Sequence, residues 1–170
     1  MIKVHVLVSV ASRHGATAEI GEAVALEIAR HGHFVDVIPP EDVEHVTDFD
    51  AVVLGSAVYV GRLAVALRAL AQRAGGQLRE RPVWLFWSGP VGDPPMPVTA
   101  PDDVATIARA VGASEPRCFV GSLDRGGLDL SERALVALTH AEQGDFRDFD
   151  DVRAWADEVA AELATAGQRG

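Results

Sequence analysis

Short apolar runs alternate with segments of helical periodicity along most of this chain, and that alternation restricts it to one fold class. The runs are rich in valine and leucine and have the length of buried strands; they lie at residues 4–10, 34–38, 51–54, 82–87 and 117–121. Helical spacing marks the segments 16–31, 62–74, 102–111, 131–140 and 150–164. This order predicts an α/β domain with a doubly wound parallel sheet of five strands, in the order 2-1-3-4-5, and helices on both faces.

The length and composition fit one globular domain. The chain has 170 residues, 48% of them apolar, so we expect a domain over residues 1–164 and a flexible tail over 165–170. Its one cysteine, Cys118, excludes an internal disulfide and favours a cytoplasmic protein. The net charge of −10 argues against nucleic-acid binding and fits either simple solubility or docking on basic partners. No apolar run approaches the ~20 residues of a transmembrane segment, and residues 1–8 lack the features of a signal peptide.

Three loops at the carboxyl ends of the predicted strands form the candidate binding site, because ligands of doubly wound sheets bind at that edge. The first loop, residues 12–17, reads Ser-Arg-His-Gly-Ala-Thr and joins the first strand to the first helix. Its hydroxyls, its glycine and the free N–H groups of a helix start are suited to holding a phosphate. It lacks the ending of a Walker loop and the spaced glycines of a dinucleotide fingerprint. An ordinary helix N-cap by Ser12 or Thr17 is the alternative interpretation.

The other two loops follow the third and fourth strands. Residues 55–62 read Gly-Ser-Ala-Val-Tyr-Val-Gly-Arg, so two glycines bracket a segment that carries Tyr59, the only tyrosine of the chain. This backbone is able to approach a flat ring; alternatively, Tyr59 covers the edge of the core, and Arg62 faces either solvent or a substrate. Residues 88–100 contain four prolines and two glycines, which predicts a long loop whose amides are free to bind a ligand.

Three aromatic residues in the fourth strand are more typical of a core than of a ligand platform. Strand alternation places Trp84 and Phe86 on one face of the sheet and Trp87 on the other. Trp87 lies nearest the end of the strand and is therefore the best candidate for an exception.

The first loop resembles the phosphate loop of flavodoxins, usually Ser/Thr-x-Thr-Gly-x-Thr, which wraps the phosphate of flavin mononucleotide (FMN). Ser12, Gly15 and Thr17 match that pattern, whereas His14 replaces a threonine and Ala16 a common asparagine. His14 is a structural substitute, a partial positive charge beside the phosphate, or simply a solvent-facing side chain.

The resemblance implies a flavodoxin-like fold with FMN as its cofactor. It also implies that the second loop contacts the isoalloxazine ring and that the third covers the other side of it. The cofactor-binding residues implied in this way are Ser12, Arg13, His14, Gly15, Ala16, Thr17, Ala57, Val58, Tyr59, Val60, Ser88, Gly89, Pro90, Val91 and Gly92.

The whole chain is similar to a group of flavodoxin-domain proteins that includes the menaquinone-dependent protoporphyrinogen oxidases. Residues 11–17, 53–61, 119–123 and 144–149 carry this similarity. It implies an FMN-dependent oxidoreductase or electron-transfer protein whose partner is a redox protein, a quinone or a small-molecule substrate. Because the flavin performs the redox chemistry in such proteins, we assign no catalytic residue.

Two departures from the family pattern leave an alternative open. The third loop lacks the basic residues that an anionic porphyrin would favour. His14 and Ala16 motivate a different class of function, a flavin-free flavodoxin-like binding or regulatory module.

Two further groups of polar residues are weaker candidates for a site. His140, Asp145, Arg147 and Asp148 are more typical of salt bridges and helix caps around the last helix. His31 and His33 flank a turn without carboxylate or cysteine companions, so we expect no metal centre.

Overall fold

The computed structural model describes residues 3–12, 15–59, 61–89, 101–119, 122–123, 144–145 and 147–169. The helices are α1 (Ala16–Arg30), α2 (Val65–Leu78), α3 (Asp102–Val111) and α4 (Phe149–Arg169). The strands are β1 (His5–Ala11), β2 (Phe34–Val37), β3 (Ala51–Tyr59), β4 (Arg62–Leu63), β5 (Val83–Ser88), β6 (Arg117–Phe119), β7 (Ser122–Leu123) and β8 (Gly144–Asp145). The helix predicted over residues 131–140 lies outside the described residues.

A parallel sheet in the order β2-β1-β3-β5-β6 organises the chain. This is the predicted order, and β5 and β6 are the fourth and fifth predicted strands. Two additions were not predicted: β4 pairs antiparallel with the end of β3, and β7 and β8 form a separate antiparallel pair.

The sheet buries a hydrophobic cluster on each face, as a doubly wound sheet requires. On one face Val8, Trp84 and Phe86 belong to a cluster that α1 and α4 complete. On the other face Leu54 and Trp87 belong to a cluster completed by α2 and α3. The predicted alternation of the three aromatic residues is therefore confirmed, and Trp87 is buried like the other two.

The strand register brings three strand ends to one edge of the sheet. Ala11 at the end of β1 pairs with Ser56 of β3, and Ser56 pairs in turn with Trp87 of β5. One residue further on, Ala57 pairs with Ser88. Because all three strands are parallel, the segments that follow them start side by side.

Several predicted boundaries are wrong at the ends of elements. The third strand does not end at residue 54 but continues to Tyr59, since Gly55 pairs with both Val10 and Phe86. The second helix does not begin at Arg62, which is paired in β4, and it does not end at residue 74 but runs through Gly75 and Gly76.

The last helix, α4, is longer than predicted. It begins at Phe149 and continues to Arg169, through most of the segment expected to be a tail. Its apolar face, which includes Val152, Trp155 and Val159, is buried against the sheet and α1. Within the described ranges, α4 and the shorter helices all lack the combination of length and apolar composition needed to cross a bilayer.

Candidate functional site at the carboxyl edge of the sheet

The start of α1 offers free N–H groups at the carboxyl end of β1. Gly15 precedes the helix in the left-handed conformation, with φ 87° and ψ −19°, which favours glycine. No side chain in the described part of the chain caps this helix, whose first hydrogen bond runs from the Glu19 N–H to the Gly15 carbonyl (3.0 Å). The amides of Ala16, Thr17 and Ala18 precede that bond and have no partner within the helix, which is the arrangement that suits an anion. Among the described residues, a Cβ on Gly15 would meet no atom within 4 Å.

Ser12 and Thr17 add hydroxyl groups to this loop. The Ser12 Oγ accepts a hydrogen bond from the Gly15 N–H (3.0 Å), which leaves its own O–H free to donate. Thr17 is buried, and its hydroxyl donates to the Ser88 Oγ across a long 3.4 Å. Among the described residues neither hydroxyl caps α1, so the alternative interpretation of an ordinary side-chain cap is wrong. The Thr17–Ser88 contact instead joins the first predicted loop to the end of β5.

The second and third predicted loops also meet. Ala57 and Ser88 are paired in the sheet, and Gly89 lies against Val58, whose carbonyl would be 3.4 Å from a Cβ at position 89. The described parts of all three loops therefore converge, as the sequence predicted. The difference is that Ala57 and Val58 are strand residues, so their backbone is fixed by the sheet.

A hairpin fixes the chain beyond β3. Ser56 is fully buried; its hydroxyl donates to the Ala57 carbonyl (2.7 Å) and accepts from the Ala64 N–H (2.9 Å) at the start of α2. The Leu63 N–H donates to a carboxylate oxygen of Asp103 in α3 (2.8 Å). These bonds hold the turn between β3 and β4 from two sides. Neither residue was predicted as a site residue. The partner of Asp103 lies 40 positions earlier in the sequence, whereas those of Ser56 lie only one and eight positions away.

Several predicted site residues lie outside the part of the chain that the structure describes. They are Arg13 and His14 in the first loop, Val60 in the second, and Pro90, Val91 and Gly92 in the third. For Tyr59 only the backbone is described, which pairs with Arg62.

Arg147, which the sequence assigned to the surroundings of the last helix, contacts the first turn of α1. Its guanidinium donates to a Glu19 carboxylate oxygen (2.7 Å) and to the Ala16 carbonyl (3.2 Å), both in the first turn of α1. The predicted salt-bridge role is therefore confirmed, but the bridge reaches the candidate site. Asp148 has the predicted capping role, because its carboxylate accepts from the amides of Asp150 and Asp151 at the start of α4.

An open cleft of about 660 Å³ borders the site on the β2 side. Ser12, Gly21, Ile38 and Leu63 contribute to its walls. Arg62 lies exposed on its rim, as the solvent-facing alternative predicted, and still faces any molecule that enters the cleft.

His31 does have carboxylate companions, contrary to the sequence prediction. Its Nε2 lies 2.8 Å from the Asp157 Oδ1 of α4, and Glu27 of α1 completes a group whose ligand atoms lie within 4.8 Å of one another. His33 is buried, its Nδ1 accepts from the Val4 N–H (3.3 Å), and burial lowers its pKa below the ordinary histidine value.

The sequence matches a family model described as a flavodoxin domain over residues 7–150. No curated protein sequence matches the chain significantly.

Solved structures resemble the fold at low sequence identity. A rubredoxin oxygen:oxidoreductase from Desulfovibrio gigas superposes with a TM-score of 0.67 at 14% identity, over 98% of this chain and 37% of that one. The chain thus spans little more than a third of that protein. An archaeal flavodoxin gives a TM-score of 0.63 at 15% identity, over 94% of this chain and 99% of its own. A flavodoxin of Streptococcus pneumonia TIGR4 gives 0.58 at 20% identity, over 93% and 99%. At these identities the likeness concerns the fold.

Proposed function

The chain belongs to the flavodoxin-domain family, and from that premise we propose that it is an electron-transfer oxidoreductase whose FMN lies where β1, β3 and β5 end. Its fold is flavodoxin-like and its cofactor is FMN, as the sequence predicted. One observation supports the placement most strongly. The uncapped start of α1, the hydroxyls of Ser12 and Thr17 and the ends of β3 and β5 meet at a single edge.

The residues at that edge fit a phosphate monoester. The amides of Ala16, Thr17 and Ala18 are donors without helical partners, and the helix dipole favours an anion beside them. The hydroxyl of Ser12 retains a donor, and that of Thr17 has only a long bond to Ser88 to give up. Arg147 pairs with the Glu19 carboxylate and bonds the Ala16 carbonyl, so it offsets the negative charge that Glu19 would otherwise present to an anion in the first turn.

The strand ends are suited to holding a planar ring. We place the ring between two backbone segments, residues 57–60 and residues 88–92, with the side chain of Tyr59 on the first of them. The first residues of these two segments, Ala57 and Ser88, are fixed by sheet pairing. The hydrogen bonds of Ser56 hold the turn that follows β3. FMN supplies the redox chemistry when bound, accepting and returning electrons. The chain then has to bind and orient it, and no side-chain acid or base is required.

A single methyl-for-hydroxyl exchange tests the phosphate site. Thr17→Val keeps the shape of this buried side chain but removes its donor. One hydrogen bond to a charged group contributes about 1.5–3 kcal/mol, so we expect FMN to bind roughly 10- to 100-fold more weakly. Binding is measured by the quenching of FMN fluorescence.

Thr106→Val is the matched control, because the Thr106 hydroxyl bonds only the Asp102 carbonyl, on α3. Unchanged FMN affinity in Thr17→Val would show that the phosphate lies elsewhere. Absence of flavin binding in the wild type would favour the flavin-free binding or regulatory module instead.

The electron donor and acceptor are a second, separable part of the proposal. The similarity to protoporphyrinogen oxidases suggests protoporphyrinogen as reductant and a quinone as acceptor, whereas the net charge of −10 favours a basic redox protein. Turnover of protoporphyrinogen with a quinone by the FMN-loaded protein would support the oxidase. Without that turnover, reduction by a redox protein would support the electron carrier. A cytoplasmic location remains a prediction from the single cysteine.

A further inference from the structure

Three side chains with metal-binding atoms meet where α1 ends against α4. Glu27 lies in the last turns of α1, His31 follows that helix directly, and Asp157 lies on α4. One ligand atom of each lies within 4.8 Å of the other two. The His31 Nε2 and the Asp157 Oδ1 are already 2.8 Å apart. The group thus joins segments separated by 126 positions in the sequence.

The charges around this group favour a cation. Two carboxylates lie side by side, and both are close to the carboxyl end of α1, where the helix dipole is negative. Arg30 offers partial compensation, since its guanidinium lies 3.3 Å from a Glu27 carboxylate oxygen.

We propose that Glu27, His31 and Asp157 bind a divalent metal ion of the zinc type, with water completing its coordination. One imidazole nitrogen and two carboxylate oxygens are a donor set that zinc accepts, at about 2.0–2.2 Å from the metal. Such distances place neighbouring ligand atoms roughly 3.3–3.6 Å apart in a tetrahedral site. The His31 and Asp157 ligand atoms lie closer together than this, and no pair in the cluster is more than 4.8 Å apart. Changes of side-chain rotamer are therefore enough to bring the three atoms to the distances that zinc requires. His31 and Asp157 are partly exposed, which leaves an entry path for the ion and room for water.

The ion has a structural role at this position. The metal cluster and the FMN edge lie at opposite ends of α1, whose 15 residues span about 22 Å. A metal there links the end of α1 to α4, two helices that pack against each other over one face of the sheet. Because the ion binds only the folded arrangement, it stabilises the protein increasingly as the free zinc concentration rises above the dissociation constant. The proposal is independent of the flavin.

Calorimetric titration of the full chain with zinc chloride, after treatment with a chelator, tests the site directly. We expect one zinc ion per chain with micromolar affinity, and a melting temperature that rises with zinc concentration. His31→Gln and Asp157→Asn each remove one ligand, and each should weaken zinc binding about tenfold or more. Both side chains are partly exposed, so we expect both variants to fold.

Two control variants separate the site from general effects of charge. Glu158→Gln removes one negative charge from an exposed neighbour on α4, and His45→Gln removes a histidine distant from the cluster in the sequence. Both should bind zinc as the wild type does. The proposal is overturned if zinc causes neither heat nor thermal stabilisation at roughly 100 µM, or if His31→Gln and Asp157→Asn bind it as tightly as the controls. Running the titration with and without FMN keeps this result separate from the test of the flavin site.

Discussion

Replacing Gly55 by alanine tests the close packing of β3 against Phe86, next to the candidate site. A Cβ at this position would lie 2.2, 2.5 and 2.7 Å from three atoms of the Phe86 ring. Carbon atoms in contact prefer about 3.5–4.0 Å, so the ring has to move by roughly 1 Å or more. It has little room to do so, because Phe119 and Trp155 lie edge-on to it with ring centroids 5.6 and 5.9 Å away.

The expected cost follows from the physics of overpacked cores. Forcing an extra methyl group into a well-packed interior costs about 1–3 kcal/mol. We therefore expect Gly55→Ala to lower the free energy of unfolding by about 2 kcal/mol, which corresponds to a melting temperature lower by about 4–8 °C for a chain of this size. Thermal unfolding followed by circular dichroism measures this shift.

Gly76→Ala is the matched control, with the same chemical change and the opposite expected sign. Gly76 is exposed on α2, and its Cβ would meet only the Arg79 Nη2, at 3.9 Å. Alanine is favoured over glycine in a helix by about 1 kcal/mol, so the melting temperature should rise by about 2–4 °C. A Gly55→Ala protein as stable as the wild type, or a destabilised Gly76→Ala, would refute the reasoning.

Three further outcomes follow from individual side chains. Arg147→Gln leaves the Glu19 carboxylate without its ion pair at the start of α1, so the dissociation constant for FMN, measured by fluorescence, should rise several-fold. Arg153→Gln, on the exposed side of α4, should leave it unchanged. Burial lowers the pKa of His33, so the unfolded chain binds a proton there at a higher pH than the folded chain, and the protein becomes less stable as the pH drops below about 6.5. His33→Gln should lose part of this pH dependence, measured from melting curves at about pH 7.5 and about pH 5.5. An unchanged dependence would contradict the assignment. Burial raises the pKa of Cys118 to about 11, so iodoacetamide should label the folded chain much more slowly than the urea-unfolded chain. Mass spectrometry measures the two labelling rates, and equal rates would contradict this expectation.

The sequence predicted the sheet because its strands are buried and continuous. The run at β5 is wholly buried, so its apolar composition follows directly from its place in the sheet. Prediction failed where a partner distant in the sequence decides the conformation. Gly55 looks like a loop residue, but it is required by the ring of Phe86 and is paired on both sides. Gly75 looks like a helix stop, but it is buried, with the Ala110 carbonyl 3.5 Å from the position of its Cβ, so packing against α3 outweighs its low helix propensity.

The candidate site was predictable to the extent that topology fixes it. Parallel strands must end at one edge, so the convergence of Thr17, Ala57 and Ser88 followed from the order of the elements. The approach of Arg147 to α1 and that of Asp157 to His31 did not follow. Both contacts join the first helix to residues more than 100 positions later, and no local pattern encodes such a pairing.

The affinity for FMN compared with that for riboflavin tests the central claim most directly, because the two flavins differ only in the phosphate. If the amides at the start of α1 and the hydroxyls of Ser12 and Thr17 hold that phosphate, two charge-assisted hydrogen bonds alone contribute about 3 kcal/mol. The account therefore predicts that FMN binds at least about 100-fold more tightly than riboflavin. Equal affinities would contradict it, since the phosphate would then contribute nothing where the structure places its donors.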